Sequence, residues 1–320
     1  MAGKHHRTRI LPALLLLLAV LMAAAASFNF LALRYYRAAY PPPGRFYRVD
    51  GYDMHLYCVG SGSPPIVLES GLGDTFLSWG KVQPKLAELT RVCSYDRAGL
   101  GWSAARPGIR DSNAIVAQLH SLLRQAGVSE PFILMGHSVA GLHMRAYMAG
   151  YPQEIAGIVF VDPSTPEQFA AFGPEYQAIN QKDKAEERKQ KWQATIGLTR
   201  LRGKCGVIPP GFEAWAGWLK ASDSDCNPAS YTASERESSA FELSGKEVAQ
   251  TGPWGNLSIL ISPATRTCGV RTGASSRKPC GRNGHPRGVH YTKVSNGSPP
   301  GAGASSPKAA AIMSRTTAPK

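Results

Sequence analysis

The sequence predicts an α/β fold: a mostly parallel, twisted sheet with helices on both faces and a helical excursion between two strands. Two observations carry this. Short apolar runs, PPIVLES (64–70), PFILMGHS (131–138) and IAGIVFVDPS (155–164), alternate with stretches whose apolar residues recur at helical spacing, such as DSNAIVAQLHSLLRQAGV (111–128). Runs that are apolar throughout suit strands covered on both faces, which parallel sheets require. The rhythm breaks only over 163–252, a charged, Trp-bearing, helix-prone segment containing QKDKAEERKQKWQ, and returns with LSILIS (257–262).

Taken in order, the chain opens on a basic stretch, 1–9, followed by an apolar run, 10–33, that only Pro12, Ser27 and Asn29 interrupt. Its 24 residues can span a hydrocarbon core of ~30 Å at ~1.5 Å per residue. The small residues AAAAS (23–27) also fit a signal-peptidase site, so a retained anchor and a cleaved signal peptide both stand. Either sends the body out of the cytoplasm. Residues 34–44, with PPPG, read as a linker. RFYRVDG and YDMHLYCVG then read as two antiparallel strands around a tight turn. PPIVLES leads into the Gly loop SGLGD (70–74), and TFLSWGKVQPKLAEL (75–89) has helical spacing despite Pro84. RVCSYDRAGLGWS (91–103) is a strand and a tight loop, and the Asp-Ser-Asn cluster at 111–113 caps the next helix. The predicted core is thus 45–162 plus a returning strand within 253–262, with 163–252 as a cap over a ligand site.

The formal net charge of +14 invites a nucleic-acid reading, but its distribution argues against one. Residues 263–320 carry ten Lys/Arg and no acid, and residues 1–37 carry five and no acid, leaving −1 for the body between them. A neutral body has no basic groove for phosphates. The cysteines offer no Cys-x-x-Cys or His cluster, so no metal or cofactor is expected. In an exported chain they suit disulfides. Cys205 and Cys226, flanking a Pro/Gly/Trp-rich segment, are the best pair, whereas Cys58 and Cys93 could be bonded or be buried thiols.

The chemistry centres on FILMGHSVAG (132–141). A G-x-S-x-[GA] pattern is weak alone, but a preceding apolar strand and an immediately following helix make it specific. The turn needs small flanks, Gly136 and Ala140, and lifts Ser138 clear of the sheet. It also sets the Val139 N–H at a helix N-terminus, where an oxyanion can be met.

With SGLGDTFLSW, YDRAGLGWS, GHSVAG and IVFVDPS in this order, the chain resembles the α/β-hydrolase fold family, specifically its serine hydrolases, over residues 45–262. The resemblance implies Ser138 as nucleophile, with the N–H groups of Val139 and Leu72 as oxyanion donors. Gly71 supports that loop, although the family's usual His-Gly is Ser70-Gly71 here. His137 is expected to point away from Ser138, and Asp96 and Arg97 to fix a loop. An ester or similar small acyl substrate is implied, with membrane contact through the N-terminal helix. The family's acid belongs just after LSILIS and its His later, and neither is recognisable: His285 and His290 lie in GRNGHPRGVHYTK without strand or helix pattern. Asp162 is the one alternative acid position.

The stretch 263–320, basic and rich in Pro, Gly, Ala, Ser and Thr, reads as disorder. It also has a second reading. Shifted one base back, codons for residues 263–268 permit Arg-Asp-Pro-Asp-Leu. Those for 309–320 permit a stretch close to the family's G-H-x-x-x-x-D-x-P-E. On the chain as written the last strand and closing helix are missing and the strand at 257–262 has a bare edge, which suits a hydrolase weakened or reduced to a non-catalytic remnant.

Overall fold

A computed structural model describes residues 4–168, 174–252, 257–262 and 290–292. Helix α1 (Lys4–Ala39) precedes an eight-stranded sheet in the order β1-β2-β4-β3-β5-β6-β7-β8. Strands β1 (Arg45–Val49) and β2 (Tyr52–Val59) form the expected antiparallel pair. Their turn, Asp50-Gly51, has positive φ at both residues (48° and 86°), the twist a two-residue hairpin favours. Strand β2 pairs antiparallel with β4 (Val92–Tyr95), and from there β3 (Ile66–Glu69), β5 (Phe132–Ser138), β6 (Ile155–Pro163) and β7 (Ser258–Ser262) run parallel.

The parallel strands are buried on both sides. Val67, Leu134, Ile158 and Phe160 pack with Leu119 and Leu122 of α3 (Ser112–Gln125) and with Leu142 and Met144 of α4 (Ala140–Gly150). A second cluster, Ile66, Leu68, Ile133 and Val92 with Trp79 and Leu86, covers the other face. Asp111 caps α3 as expected, accepting from the Ala114 N–H at 2.8 Å. The helix expected over 75–89 is instead two short pieces, a 3₁₀ turn at Phe76–Trp79 and α2 (Gln83–Ala87). Pro84 lacks the N–H a continuous helix would use and sits in the first turn of the second piece.

Between β6 and β7 the chain leaves the sheet for α5 (Pro174–Thr195), α6 (Leu198–Leu201), α7 (Ala216–Ser222), α8 (Pro228–Ser239) and α9 (Phe241–Val248). Helix α9 lies on α3 and α4, and α8 reaches over the ends of β3 and β4 through Glu237, which meets Arg97.

Two expectations need correction. Helix α1 runs on through residues read as linker, to Ala39, because RYYRAA has no residue that breaks a helix before the prolines at 41–43. The edge of β7 is not bare: β8 (His290–Thr292) pairs with it antiparallel, Leu260 opposite Tyr291, so backbone groups of β7 gain partners from the basic stretch. The rest of 263–320, including His285 and the codons of the shifted reading, lies outside the described residues.

Cysteines 58 and 93 face each other across β2 and β4 and are bonded, with Cα atoms 4.0 Å apart; this resolves the open alternative. Cys205 and Cys226 are bonded as expected.

Candidate active site

Ser138 ends β5 with φ +56°, a left-handed conformation that a residue other than Gly adopts only when its surroundings impose it. Here they do. A Cβ at Gly136 would lie 2.6 Å from the Ala140 Cβ and 2.7 Å from the Met144 sulfur, so strand and helix close on each other at this point. The small flanks read from the sequence are therefore sterically required. A third small residue, Gly141, is required for a reason outside the motif. A Cβ at Gly141 would meet the Ser164 carbonyl oxygen at 2.4 Å, where the chain leaving β6 crosses the start of α4. The Ser164 N–H donates to the Ser138 carbonyl at 2.8 Å and fixes the elbow from outside.

Ser138, Val139 and Leu72 line one cavity of about 270 Å³, with Ser164, Gln168, Lys184, Ser238, Phe241 and Glu242 around them. Its walls come from the elbow, the Gly loop and the helical segment. Among the described residues, neither the Leu72 nor the Val139 N–H donates a hydrogen bond, and both residues border the cavity beside Ser138. Gly71 is closely approached: a Cβ would lie 2.9 Å from Asp74 Oδ2 and 3.0 Å from His137 Nδ1, so a side chain here would have to push those two side chains aside. His137 is exposed on the Gly71 and Asp74 side of the elbow and makes no hydrogen bond to Ser138. Burial raises the Asp74 carboxyl above its ordinary value, with Arg97 and His137 opposing.

Beneath the Gly loop lies a buried charge network that sequence reasoning found only in part. Arg97 Nη1 donates to Glu69 Oε1 at 2.8 Å and to the Ser70 carbonyl at 2.7 Å. Its Nη2 donates to the Gly71 carbonyl at 2.6 Å and to Glu237 Oε2 at 2.9 Å, and its Nε to Glu237 Oε1 at 2.9 Å. Arg110 Nη2 also donates to Glu237, and His143 of α4 and Tyr95 meet Glu69. Burial pushes the Glu237 carboxyl up, but Arg97 and Arg110 outweigh it and hold it down at about 2. Glu69 is likewise lowered: burial opposes, while His143 and Arg97 favour the carboxylate. Tyr95 is raised by burial and by Glu69. A glutamate closing an otherwise apolar strand run is the visible signal for Glu69; Glu237, the other carboxylate on Arg97, lies 140 residues from it and has none.

Asp96 fixes its loop as expected. Its carboxylate accepts from the Phe76 and Trp102 N–H groups and lies 2.9 Å from His55 Nδ1, and Gly101 folds back onto it at φ +50°. Asp162 is exposed at the end of β6 with φ +45°, and no described side chain hydrogen-bonds to it. No described histidine nitrogen bonds to Ser138. Cys205, Asp223 and Cys226 have ligand atoms within 4.8 Å of one another, but the two sulfurs are joined as a disulfide.

The model for the alpha/beta hydrolase fold matches residues 64–197. Among curated proteins, YbdG of Bacillus subtilis is 31% identical over 126 residues, 39% of this chain and 39% of that one. An AB hydrolase superfamily protein of Gibberella zeae is 35% identical over 103 residues, 31% of this chain and 32% of that one. The chain thus spans well under half the length of these relatives. Among solved structures, ALR0039 of Nostoc sp PCC 7120 aligns with TM-score 0.54 at 18% identity, over 68% of this chain and 79% of that one. Cfl2 of Burkholderia cenocepacia aligns with TM-score 0.50 at 20% identity, over 68% and 78%. The family match over residues 64–197 takes in the strand-to-helix elbow and strands β3 to β6, and with the order of the sheet the chain has the α/β-hydrolase fold.

Proposed function

We propose that the chain is a serine hydrolase of ester or related acyl substrates, held outside the cytoplasm by its N-terminal helix. The observation that carries this reading is the elbow. Ser138 sits in a conformation that costs on the order of 1–3 kcal/mol, beside two N–H groups that have no other acceptor among the described residues. Its Oγ would attack the acyl carbonyl while the Val139 and Leu72 N–H groups receive the oxyanion; the alcohol leaves, and water then releases the acid from the acyl-serine. Arg97 supports the second donor. In a trans peptide the C=O and N–H point opposite ways, so holding the Gly71 carbonyl on Arg97 turns the Leu72 N–H away from Arg97.

The base and its orienting acid belong after β7. We read the chain after Ser262 as out of frame, with the acid directly following the strand that pairs Val161 with Ser262. Asp162, a neighbour of the elbow through Pro163, is the alternative acid. Resequencing the gene around codon 262 tests this, and an intact frame with other wobble bases overturns it. The second reading is a non-catalytic remnant on the same fold. It is favoured by the lack, among the described residues, of any histidine nitrogen bonded to Ser138. Labelling by a fluorophosphonate probe separates the two: label lost in Ser138→Ala supports the enzyme, and an unlabelled wild type supports the remnant.

The stretch Leu11–Ala39 of α1 contains an 18-residue window with a mean hydropathy of 2.4 and is long and apolar enough to cross a membrane. We read it as an anchor, with a cleaved signal sequence as the alternative.

A further inference from the structure

Asn29 is the one strongly polar side chain within the apolar run 10–33, and it is buried, 3% exposed, while Leu14 to Leu18 on the same helix are more than half exposed. Its Nδ2 donates to the Ala194 and Cys226 carbonyls, both at 2.9 Å, and its Oδ1 accepts from Arg200 Nε at 2.7 Å. Arg200 in turn donates to Asp223 at 2.6 Å, and the Cys205–Cys226 disulfide closes the knot. One turn earlier, Gly197 approaches so near that a Cβ would lie 2.1 Å from the Ala25 carbonyl oxygen. Lower down the helix, Arg37 Nη2 donates to the Gly101 carbonyl at 2.8 Å. The second half of α1 is therefore built into the body of the protein, and the helix holds the segment 197–207 at a fixed height along its own axis.

That height can be read from the helix rise. Fourteen residues from Leu11 to Ala25 cover ~21 Å and eighteen to Asn29 cover ~27 Å, against a hydrocarbon core of ~30 Å. A bilayer entered at Leu11 ends near Leu31, so the knot sits at the outer hydrocarbon boundary. From this knot Leu201 and Val207 stand out to solvent, 61% and 64% exposed, with Arg202 and Lys204 also exposed between them. Apolar tips with interleaved cations are what a membrane interface takes up, carbon in the acyl boundary and charge at the phosphates.

We propose that the segment from Gly197 to Val207 is a second membrane-contacting element, its partner the outer leaflet, with Leu201 and Val207 inserted and Arg202 and Lys204 at the lipid phosphates. This rests on the anchor reading of α1 and needs no catalytic activity. The test uses the full chain in nanodiscs of phosphatidylcholine with phosphatidylglycerol, with Cys268→Ser and Cys280→Ser so that one nitroxide reports from Leu201→Cys or Val207→Cys. Leu16→Cys in the span and Ile109→Cys, equally exposed but beside Arg236 and Ser239, serve as references. Power saturation should show labels at 201 and 207 favouring oxygen over a water-soluble nickel chelate, towards the Leu16 value and unlike Ile109. Labels at 201 and 207 as open to nickel as Ile109, with Leu16 in lipid, overturn the contact while leaving the anchor standing. An aqueous signal at Leu16 overturns the anchor and the contact together. All four sites are exposed, so labelling should leave the circular dichroism melt unchanged; if the label at 201 or at 207 shifts it, the contact is read from the other of the two against the same references.

Discussion

Replacing Glu237 with Gln keeps the side chain's volume and removes one charge from a network sealed from water. Arg97 then keeps Glu69 as its ionised partner, Arg110 loses the carboxylate it donates to, and the guanidinium of Arg97 loses two of its carboxylate contacts. Breaking a buried pair from one side typically costs ~3–5 kcal/mol. The titration leads to a similar figure: a fall from the ordinary 4.5 to about 2 is worth about 3 kcal/mol of folding stability. The sign follows from a depressed carboxyl. The contribution is fully present above pH 4.5 and is lost as pH falls through 4.5 towards 2. The assay is urea unfolding of wild type and Glu237→Gln in matched detergent between pH 7 and pH 2. The variant should be less stable by about 3 kcal/mol near neutrality, and the gap should narrow as the wild-type carboxylate protonates. A gap below ~0.5 kcal/mol at pH 7, or one that does not change with pH, would refute the network as a stabilising unit.

Three further outcomes follow. Arg97→Lys cannot hold the Ser70 and Gly71 carbonyls and Glu237 together, so the Leu72 donor should drift; in an active preparation kcat should drop ~10²-fold or more with KM little changed, read from steady-state ester hydrolysis. Gly141→Ala drives a methyl group to 2.4 Å from the Ser164 carbonyl oxygen, which is backbone and cannot swing aside; thermal melts should show a loss of ~1–3 kcal/mol. Asn29→Leu leaves the Ala194 and Cys226 carbonyls and the Arg200 Nε without their buried partner, and should destabilise the folded body by roughly 2–4 kcal/mol in the same melts.

The elbow was legible because its requirements are local: an apolar strand, two small flanks and a helix within ten residues. The mostly parallel character of the sheet was legible for a similar reason, since each βαβ step leaves its own period in the sequence. What escaped was whatever depends on where distant segments meet. Cys58 and Cys93 could be read as bonded or as buried thiols but not assigned, because their bond depends on the register of β2 against β4. Nothing local distinguishes Glu237 from the other charges of the helix-prone segment, and only the docking of α8 over β3 and β4 seals it against Arg97. Asn29 looked like an interruption of an apolar run, because its partners come from segments more than 160 residues away. The requirement at Gly141 has no local signal, since its crowding comes from the chain leaving β6, not from the elbow's own neighbours.

The central claim is that Ser138 is a nucleophile in a working oxyanion site. Purified full-length chain treated with a fluorophosphonate, digested and analysed by mass spectrometry tests it most directly. The account predicts a single phosphonyl adduct, on the peptide containing Ser138, absent from Ser138→Ala. An adduct elsewhere that survives in Ser138→Ala, or no adduct on a folded wild type, would contradict it.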